Sequence, residues 1–386
     1  MTADGVREVR RRIAVHSGTE RLVLAGLELT ENDLLMLQAP LERLVTLTEL
    51  DLSGNRLDTL PSTLHSLGAL QVLNLSSNRI AEISDVVAGF PKLEVLDLSN
   101  NQLHSLTDAL ADLTDLYALV LKGNQLATLP DTFDRLSALT WLDLGHNQFG
   151  RFPDVVRELS ALERLVLNDN QLVTLPQTLA GDLTALETLN LDSNQLRAVP
   201  EGIGRLTALM GLGLSHNELD SLPETIGQLT ALTGLDVSHN RLESIPEAIS
   251  RLTSLKVLRL DNNQISTIPR SLAKLTVLKR LNLCHNRIVE FPEVVKRFTR
   301  LVDLYLSGNR IRSLPEFADG DLEIIRELSL DHNLLTELPS SLANLRSLSI
   351  LRLDHNQLTA LPPRLGAPGR FSILDITGNP ITRSIF

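Results

Sequence analysis

An asparagine that returns at an almost constant spacing inside a leucine pattern constrains this chain more than any other feature. Residues 47–57 (LTELDLSGNRL) read L-x-x-L-x-L-x-x-N-x-L. The spacing of the asparagine is 23 residues except in two steps of 24, which contain Gly-Asp-Leu at 181–183 and 320–322. The fifteen asparagines are Asn55, Asn78, Asn101, Asn124, Asn147, Asn170, Asn194, Asn217, Asn240, Asn263, Asn286, Asn309, Asn333, Asn356 and Asn379. A unit this short buries its leucines only against its neighbours, so the sequence predicts a solenoid.

Each part of the consensus predicts a structural element. The alternating L-x-L predicts a short strand with inward leucines, stacked in parallel on the next repeat about 5 Å away. The asparagine amide can donate to and accept from backbone groups of its own and the neighbouring repeat. The second half reads L-P-x-x-L, with proline in twelve repeats. Because proline presets φ for a first helical turn, we expect short helical or 3-10 turns on the outer face, where the Gly-Asp-Leu insertions also lie.

The sequence predicts three parts along the chain. Residues 1–46 form an N-terminal helical cap with a degenerate first repeat, residues 47–379 form the fifteen repeats, and residues 380–386 form a short tail. Within the cap, residues 6–15 and 31–44 are predicted helices, because their apolar residues fall on one side.

The C-terminal tail has two predicted arrangements. The last strand, predicted over residues 371–376, presents an open sheet edge, and open edges template association. We expect either that the tail folds back as a minimal cap with Ile381, Ile385 and Phe386 as apolar plugs, leaving a monomer, or that two chains meet end to end as a homodimer.

The repeat pattern resembles the leucine-rich repeat family over roughly residues 20–386. The resemblance implies an α/β solenoid, a horseshoe with a concave parallel β-sheet and short helical or 3-10 turns on the convex face. The 23-residue L-P-x-x-L form is similar to the plant intracellular Ras-group members and to the repeat domains of Roco GTPases. The segment RLVLAGLELT resembles the start of bacterial members. Such families use the horseshoe for protein contacts, often in small-GTPase or kinase signalling.

Composition disfavours several classes of function. The formal net charge of −11 argues against nucleic acid and anionic membrane as partners. No run of 18 apolar residues is present, and the basic N-terminal residues, which no apolar stretch follows, predict no secretory leader. The single cysteine, Cys284, cannot form an internal disulfide, which fits a reducing compartment. We therefore expect a cytoplasmic protein.

The sequence predicts no enzyme, cofactor or metal site. G-x-x-x-x-G-K, H-E-x-x-H and G-x-S-x-G are all missing, and Gly211-Leu212-Gly213 occupies strand positions. Cys284 beside His285 has no acid placed to complete a nucleophilic site. Six histidines directly precede the repeat asparagine: His146, His216, His239, His285, His332 and His355. Two adjacent-repeat pairs among them suggest a metal, but with no third ligand evident we interpret the six as residues of an exposed turn.

The resemblance implies that a partner binds the concave sheet. Counting the first leucine of each repeat as position one, positions three, five and seven point outward. The tryptophan cluster on this face comprises Val72, Val95, Ala118, Val120, Trp141, Arg164 and Val166. The arginine cluster, a basic and aromatic spot suited to an acidic segment, comprises Arg259, Arg280, Asn282 and Tyr305, with Arg352 farther off. Exposed apolar surface, Trp and Arg are typical of binding hot spots, although strand propensity alone also explains the valines.

The predicted function is a non-catalytic protein-binding scaffold that recognises a protein or peptide on its concave face, in intracellular signalling. The alternative is an effector or adaptor delivered to, or associated with, a separate enzyme of GTPase, kinase or ubiquitin-ligase type. An extracellular receptor or adhesion ectodomain is disfavoured because we expect no signal peptide, and because a single cysteine cannot build the cysteine caps of such domains.

Overall fold

The computed structural model describes Val9, residues 20–363, Leu365 and residues 370–382. The chain divides into two compact units, Met1–Asn194 and Gln195–Phe386. Each unit is a stack of three-residue parallel strands in chain order. The predicted α/β solenoid is confirmed in both units.

The described part of the first unit has eight strands, two short α-helices and five 3-10 helices. The strands are β1 Arg21–Val23, β2 Glu49–Asp51, β3 Val72–Asn74, β4 Val95–Asp97, β5 Ala118–Val120, β6 Trp141–Asp143, β7 Arg164–Val166 and β8 Thr188–Asn190. The helices are α1 Glu31–Leu35 and α2 Gln38–Leu41, then the 3-10 helices η1 Ser62–Ser66, η2 Asp85–Gly89, η3 Asp108–Asp112, η4 Asp131–Arg135 and η5 Asp154–Glu158.

The described part of the second unit has eight strands and six 3-10 helices. The strands are β9 Gly211–Gly213, β10 Gly234–Asp236, β11 Val257–Arg259, β12 Arg280–Asn282, β13 Asp303–Tyr305, β14 Glu327–Ser329, β15 Ile350–Arg352 and β16 Ile373–Asp375. The 3-10 helices are η6 Glu201–Arg205, η7 Glu224–Gln228, η8 Glu247–Arg251, η9 Arg270–Lys274, η10 Glu293–Arg297 and η11 Ser340–Asn344.

Leucines and the asparagine ladder hold the repeats of each unit together. The central leucine of each strand from β1 to β15 is buried, and strands pair with these leucines in register, as Leu73 does with Leu96. The Asn78 amide nitrogen donates to the carbonyls of Leu52 at 3.0 Å and Leu75 at 2.9 Å. Its Oδ1 accepts the N–H of Leu57 at 3.1 Å. The predicted bridging of neighbouring repeats is confirmed.

The outer segments follow the proline pattern and its exceptions. The 3-10 helices begin directly after the proline position, as η7 begins after Pro223. The two 24-residue repeats have turns in place of a 3-10 helix, with positive φ at Gly181 (44°), Gly320 (92°) and Leu322 (46°). The extra residue is therefore absorbed by left-handed backbone in the outer segment, as predicted.

The N-terminal region departs from the prediction in one place. The helix predicted over residues 31–44 is instead two short helices, α1 and α2. Pro40 has no N–H to donate to the carbonyl of Met36, four residues earlier, so α-helical hydrogen bonding cannot run on from α1. The second helix, α2, therefore starts anew with Pro40 in its first turn. The degenerate first repeat does supply a strand, since β1 pairs with β2. Apart from buried Val9, the helix predicted over 6–15 lies outside the described residues, as do residues 383–386 of the tail.

Candidate partner-binding surface

The residue before each ladder asparagine, position eight, has left-handed backbone in all fifteen repeats, with φ between 51° and 70°. Glycine, asparagine, aspartate, serine and histidine fill it. Asn, Asp and His are the non-glycine residues most enriched at such φ values. The left-handed backbone therefore explains why six histidines occupy this position. The sequence indicated it, because Gly and Asn fill the same position in other repeats.

Many position-five side chains cap the turn that follows the strand. Their Oδ1 accepts the backbone N–H two residues later, at 2.9 to 3.1 Å, in Asp51, Asn74, Asp97, Asp143, Asn190, Asp236, Asn282 and Asp375. Asn282 also donates to Asp261 Oδ1 at 2.8 Å. Both ends of the Asn282 amide are thus used within the protein, and its contact with a partner stays a prediction.

The arginine cluster is centred on a buried carboxylate. Arg280 donates from Nε and Nη2 to Asp303 Oδ2 at 3.2 and 3.0 Å. Arg326 donates to the other oxygen, Oδ1, at 3.1 Å. Asp303 is 3% exposed, and its hydrogen bonds raise the pKa of Arg280. The positive charge of Arg280 is therefore compensated from the neighbouring strand.

The other members of this cluster are paired in the same way. Arg259 contacts Asp236 at 3.3 Å. Arg352 and Tyr305 both contact Glu327, at 3.5 and 3.3 Å. Burial, followed by the nearby carboxylates, raises the pKa of Tyr305. The expected basic spot is corrected to a charge-paired surface, because the acids stand at positions three and five of adjacent strands.

The tryptophan cluster is less exposed than predicted. Ala118 is only 2% exposed, and it lies between Val95 and Trp141 on the neighbouring strands. Its methyl group is shorter than either neighbour, so they cover it, and its assignment as a contact residue is corrected. The remaining valines of the cluster, Val72, Val95, Val120 and Val166, are half-buried.

Trp141 and Arg164 are the exposed centre of this cluster. The Trp141 side chain is 38% exposed, and the Arg164 guanidinium lies 5.6 Å from the centre of its ring, within cation–π range. An open cavity of about 240 Å³ adjoins them, lined by Thr140, Trp141, Glu163, Arg164, Glu187 and Thr188. The sequence reasoning missed Glu163 and Glu187, because it counted only positions three, five and seven, whereas position two at the strand start is also exposed.

Cys284 is unsuited to act as a nucleophile. Burial raises the pKa of its thiol to about 11, against a smaller lowering by hydrogen bonds with Ser307. At neutral pH the reactive thiolate is therefore scarce. Among the described residues, no helix has the length and apolar character needed to span a bilayer.

Comparisons with known proteins place these features in one family. The leucine-rich repeat model matches residues 78–126, 91–149, 184–242, 230–288 and 299–358, and a two-copy leucine-rich repeat model matches residues 45–88. No curated protein sequence matches the chain.

Solved structures agree with the family models. A leucine-rich repeat protein of Leptospira interrogans is 31% identical with a TM-score of 0.78, covering 96% of this chain and 93% of that one. The plant peptide hormone receptor RGFR1, solved in complex with RGF2, is 28% identical with a TM-score of 0.61, covering 88% of this chain and 64% of that one. YopM from Yersinia enterocolitica is 25% identical with a TM-score of 0.67, covering 97% and 78%. The chain belongs to the leucine-rich repeat family.

Proposed function

We propose that the protein is a non-catalytic scaffold that binds an extended segment of a partner protein or peptide across strands β6 to β8, on the strand face that the sequence predicts to be concave. Family membership supports a binding role, and the related receptor RGFR1 is in complex with the peptide RGF2. The observation that carries the proposal is the exposure of Trp141 in the middle of a sheet face, beside a cavity.

The chemistry of that cavity favours a basic segment. Glu163 and Glu187 are exposed, and within the described part of the chain neither has an ion-pair partner. A lysine or arginine of the partner gains from both carboxylates and from the indole of Trp141. Thr140 and Thr188 add hydroxyl groups that can hydrogen-bond to a peptide backbone.

The biological setting belongs to the same proposal. A single cysteine with a weakly reactive thiol suits the reducing cytoplasm. There the scaffold takes part in intracellular signalling, or in the alternative it acts as an effector or adaptor bound to a GTPase, kinase or ubiquitin ligase. The class of the native partner decides between the two.

A selection from a displayed random-peptide library against the purified protein tests the proposal. We expect enrichment of peptides that carry lysine or arginine beside apolar residues. Binding of the selected peptides should weaken at least tenfold in the Glu163→Gln/Glu187→Gln variant, and its salt dependence should fall, since two charge contacts are removed. Selected peptides without basic residues, or with equal affinity for the variant, would refute a basic partner segment here.

A further inference from the structure

We propose that His332, Asp354 and His355 form a binding site for a divalent transition-metal ion, with zinc as its natural class of ligand. One ligand atom from each of the three residues lies within 4.8 Å of the others. Within the described part of the chain, this is the one such group of three histidine, cysteine or acidic residues. Sequence reasoning found both histidines but overlooked Asp354 as the third ligand.

The carboxylate of Asp354 links the two imidazoles. Its Oδ2 lies 3.0 Å from Nδ1 of His355 and 3.8 Å from Nδ1 of His332. A second carboxylate, Asp331, has its Oδ2 3.3 Å from the same nitrogen of His332. Two imidazoles and up to two carboxylates make a nitrogen and oxygen donor set that suits tetrahedral zinc, whereas Mg²⁺ and Ca²⁺ prefer oxygen alone.

The carboxylates of the site are held in place by the protein, whereas its imidazoles are free to move. The Asp331 and Asp354 side chains are 19% and 16% exposed, so the protein holds them in place. The His332 and His355 side chains are 57% and 58% exposed, with rings stacked 4.4 Å apart at 15°. Zinc bonds of about 2 Å require the donor atoms to close to about 3.3 Å. Because the rings face solvent, rotation about their side-chain bonds supplies that movement.

A second histidine pair in the same unit provides an internal control. His216 and His239 also stack, with ring centres 3.9 Å apart, and have the same left-handed backbone. Position seven before each of them is a serine, not an aspartate. The nearby Asn262 amide lies 3.2 Å from His239 Nε2. One carboxylate, that of Asp261, has its Oδ2 3.8 Å from His239 Nε2, and this oxygen already accepts a hydrogen bond from Asn262 at 3.0 Å. Among the described residues, His216, His239 and Asp261 do not bring three ligand atoms within 4.8 Å of one another.

Calorimetric titration of the tag-free protein with ZnCl₂ tests the site. We expect one zinc ion per chain with micromolar affinity, weakened at least tenfold by His355→Asn and by Asp354→Asn. Asparagine already occupies position eight at Asn100 and Asn262 and position seven at Asn168, so both variants suit the backbone. The control His239→Asn should leave zinc affinity unchanged, and circular dichroism melts verify that each variant is folded.

Cobalt binding, followed by visible absorption, gives a second test that does not rely on the heat of binding. The wild-type protein should show the visible d–d bands of tetrahedral Co²⁺, and folded His355→Asn should lose them. Absence of zinc binding at 100-fold excess over about 1 μM protein, or binding that Asp354→Asn leaves intact, would overturn the proposal. Equal losses in His239→Asn and His355→Asn would overturn it too.

Discussion

At the scale of the residue, one asparagine per repeat, buried in every repeat but the last, fastens each strand to the one before it. Asn286 accepts the N–H of Ile265 at 2.9 Å and donates to the carbonyls of Leu260 and Leu283 at 2.9 and 3.2 Å. Asn286→Ala leaves these buried groups unpaired, so we expect a loss of about 1–3 kcal/mol in the free energy of unfolding, measured by denaturant titration.

The neighbouring residue offers a matched control for that variant. His285 is exposed, with φ of 51°, and asparagine is at home in this conformation. His285→Asn should change the free energy of unfolding by no more than about 0.5 kcal/mol. Equal losses for the two variants would contradict the assignment of the ladder residue as the one that carries the stability.

Cys284 makes a second prediction at this scale. With a thiol pKa of about 11, the thiolate fraction at pH 8 is roughly a hundredfold or more below that of an ordinary cysteine. We expect alkylation by iodoacetamide to be slower by about that factor in the folded protein, and to accelerate up to pH 10. The same chain in guanidinium is the control, because it holds the only thiol. A folded-state rate equal to the denatured rate would show that the thiol is not shielded.

At the scale of the element, neighbouring strands share charges. Strands β12 and β13 are joined by Arg280 and Asp303, and Arg326 holds the same carboxylate. We expect Arg280→Ala and Arg326→Ala each to cost about 1 kcal/mol or less, since the other arginine still pairs with Asp303. The double variant should cost about 3 kcal/mol, because a nearly buried carboxylate then has no cation. Strictly additive losses in denaturant titrations would disprove this shared pairing.

The period of the sequence predicts the elements well, because every repeat buries the same leucine positions against its neighbours. The strands, the ladder and the outer turns all follow from the leucine, asparagine and proline positions. The prediction of one helix over residues 31–44 was wrong, because Pro40 interrupts the helical hydrogen bonding that the apolar pattern of this segment suggests. The net basic charge expected of the arginine cluster is not found, because Asp303 and Glu327 lie beside it once the strands are in register. Asp354 was missed for the same reason, since its relation to His332 crosses repeats.

At the scale of the molecule, the two units present different sheet surfaces. In the second unit, carboxylates and guanidinium groups of adjacent strands compensate one another. In the first unit, Trp141 stands exposed beside the carboxylates of Glu163 and Glu187. The proposed partner site therefore lies on the first unit, and the proposed metal site lies on the second.

The affinity of a selected peptide for Trp141→Ala, measured by isothermal titration calorimetry, tests this placement most directly. Val173→Ala is the matched control, because Val173 is a similarly exposed apolar residue of the same unit, at 42%, but lies outside the strands. Loss of a hot spot weakens binding by about 2 kcal/mol, or roughly thirtyfold. We predict that loss for Trp141→Ala and no change for Val173→Ala. Unchanged affinity in a folded Trp141→Ala protein would contradict the strand face around Trp141 as the binding surface.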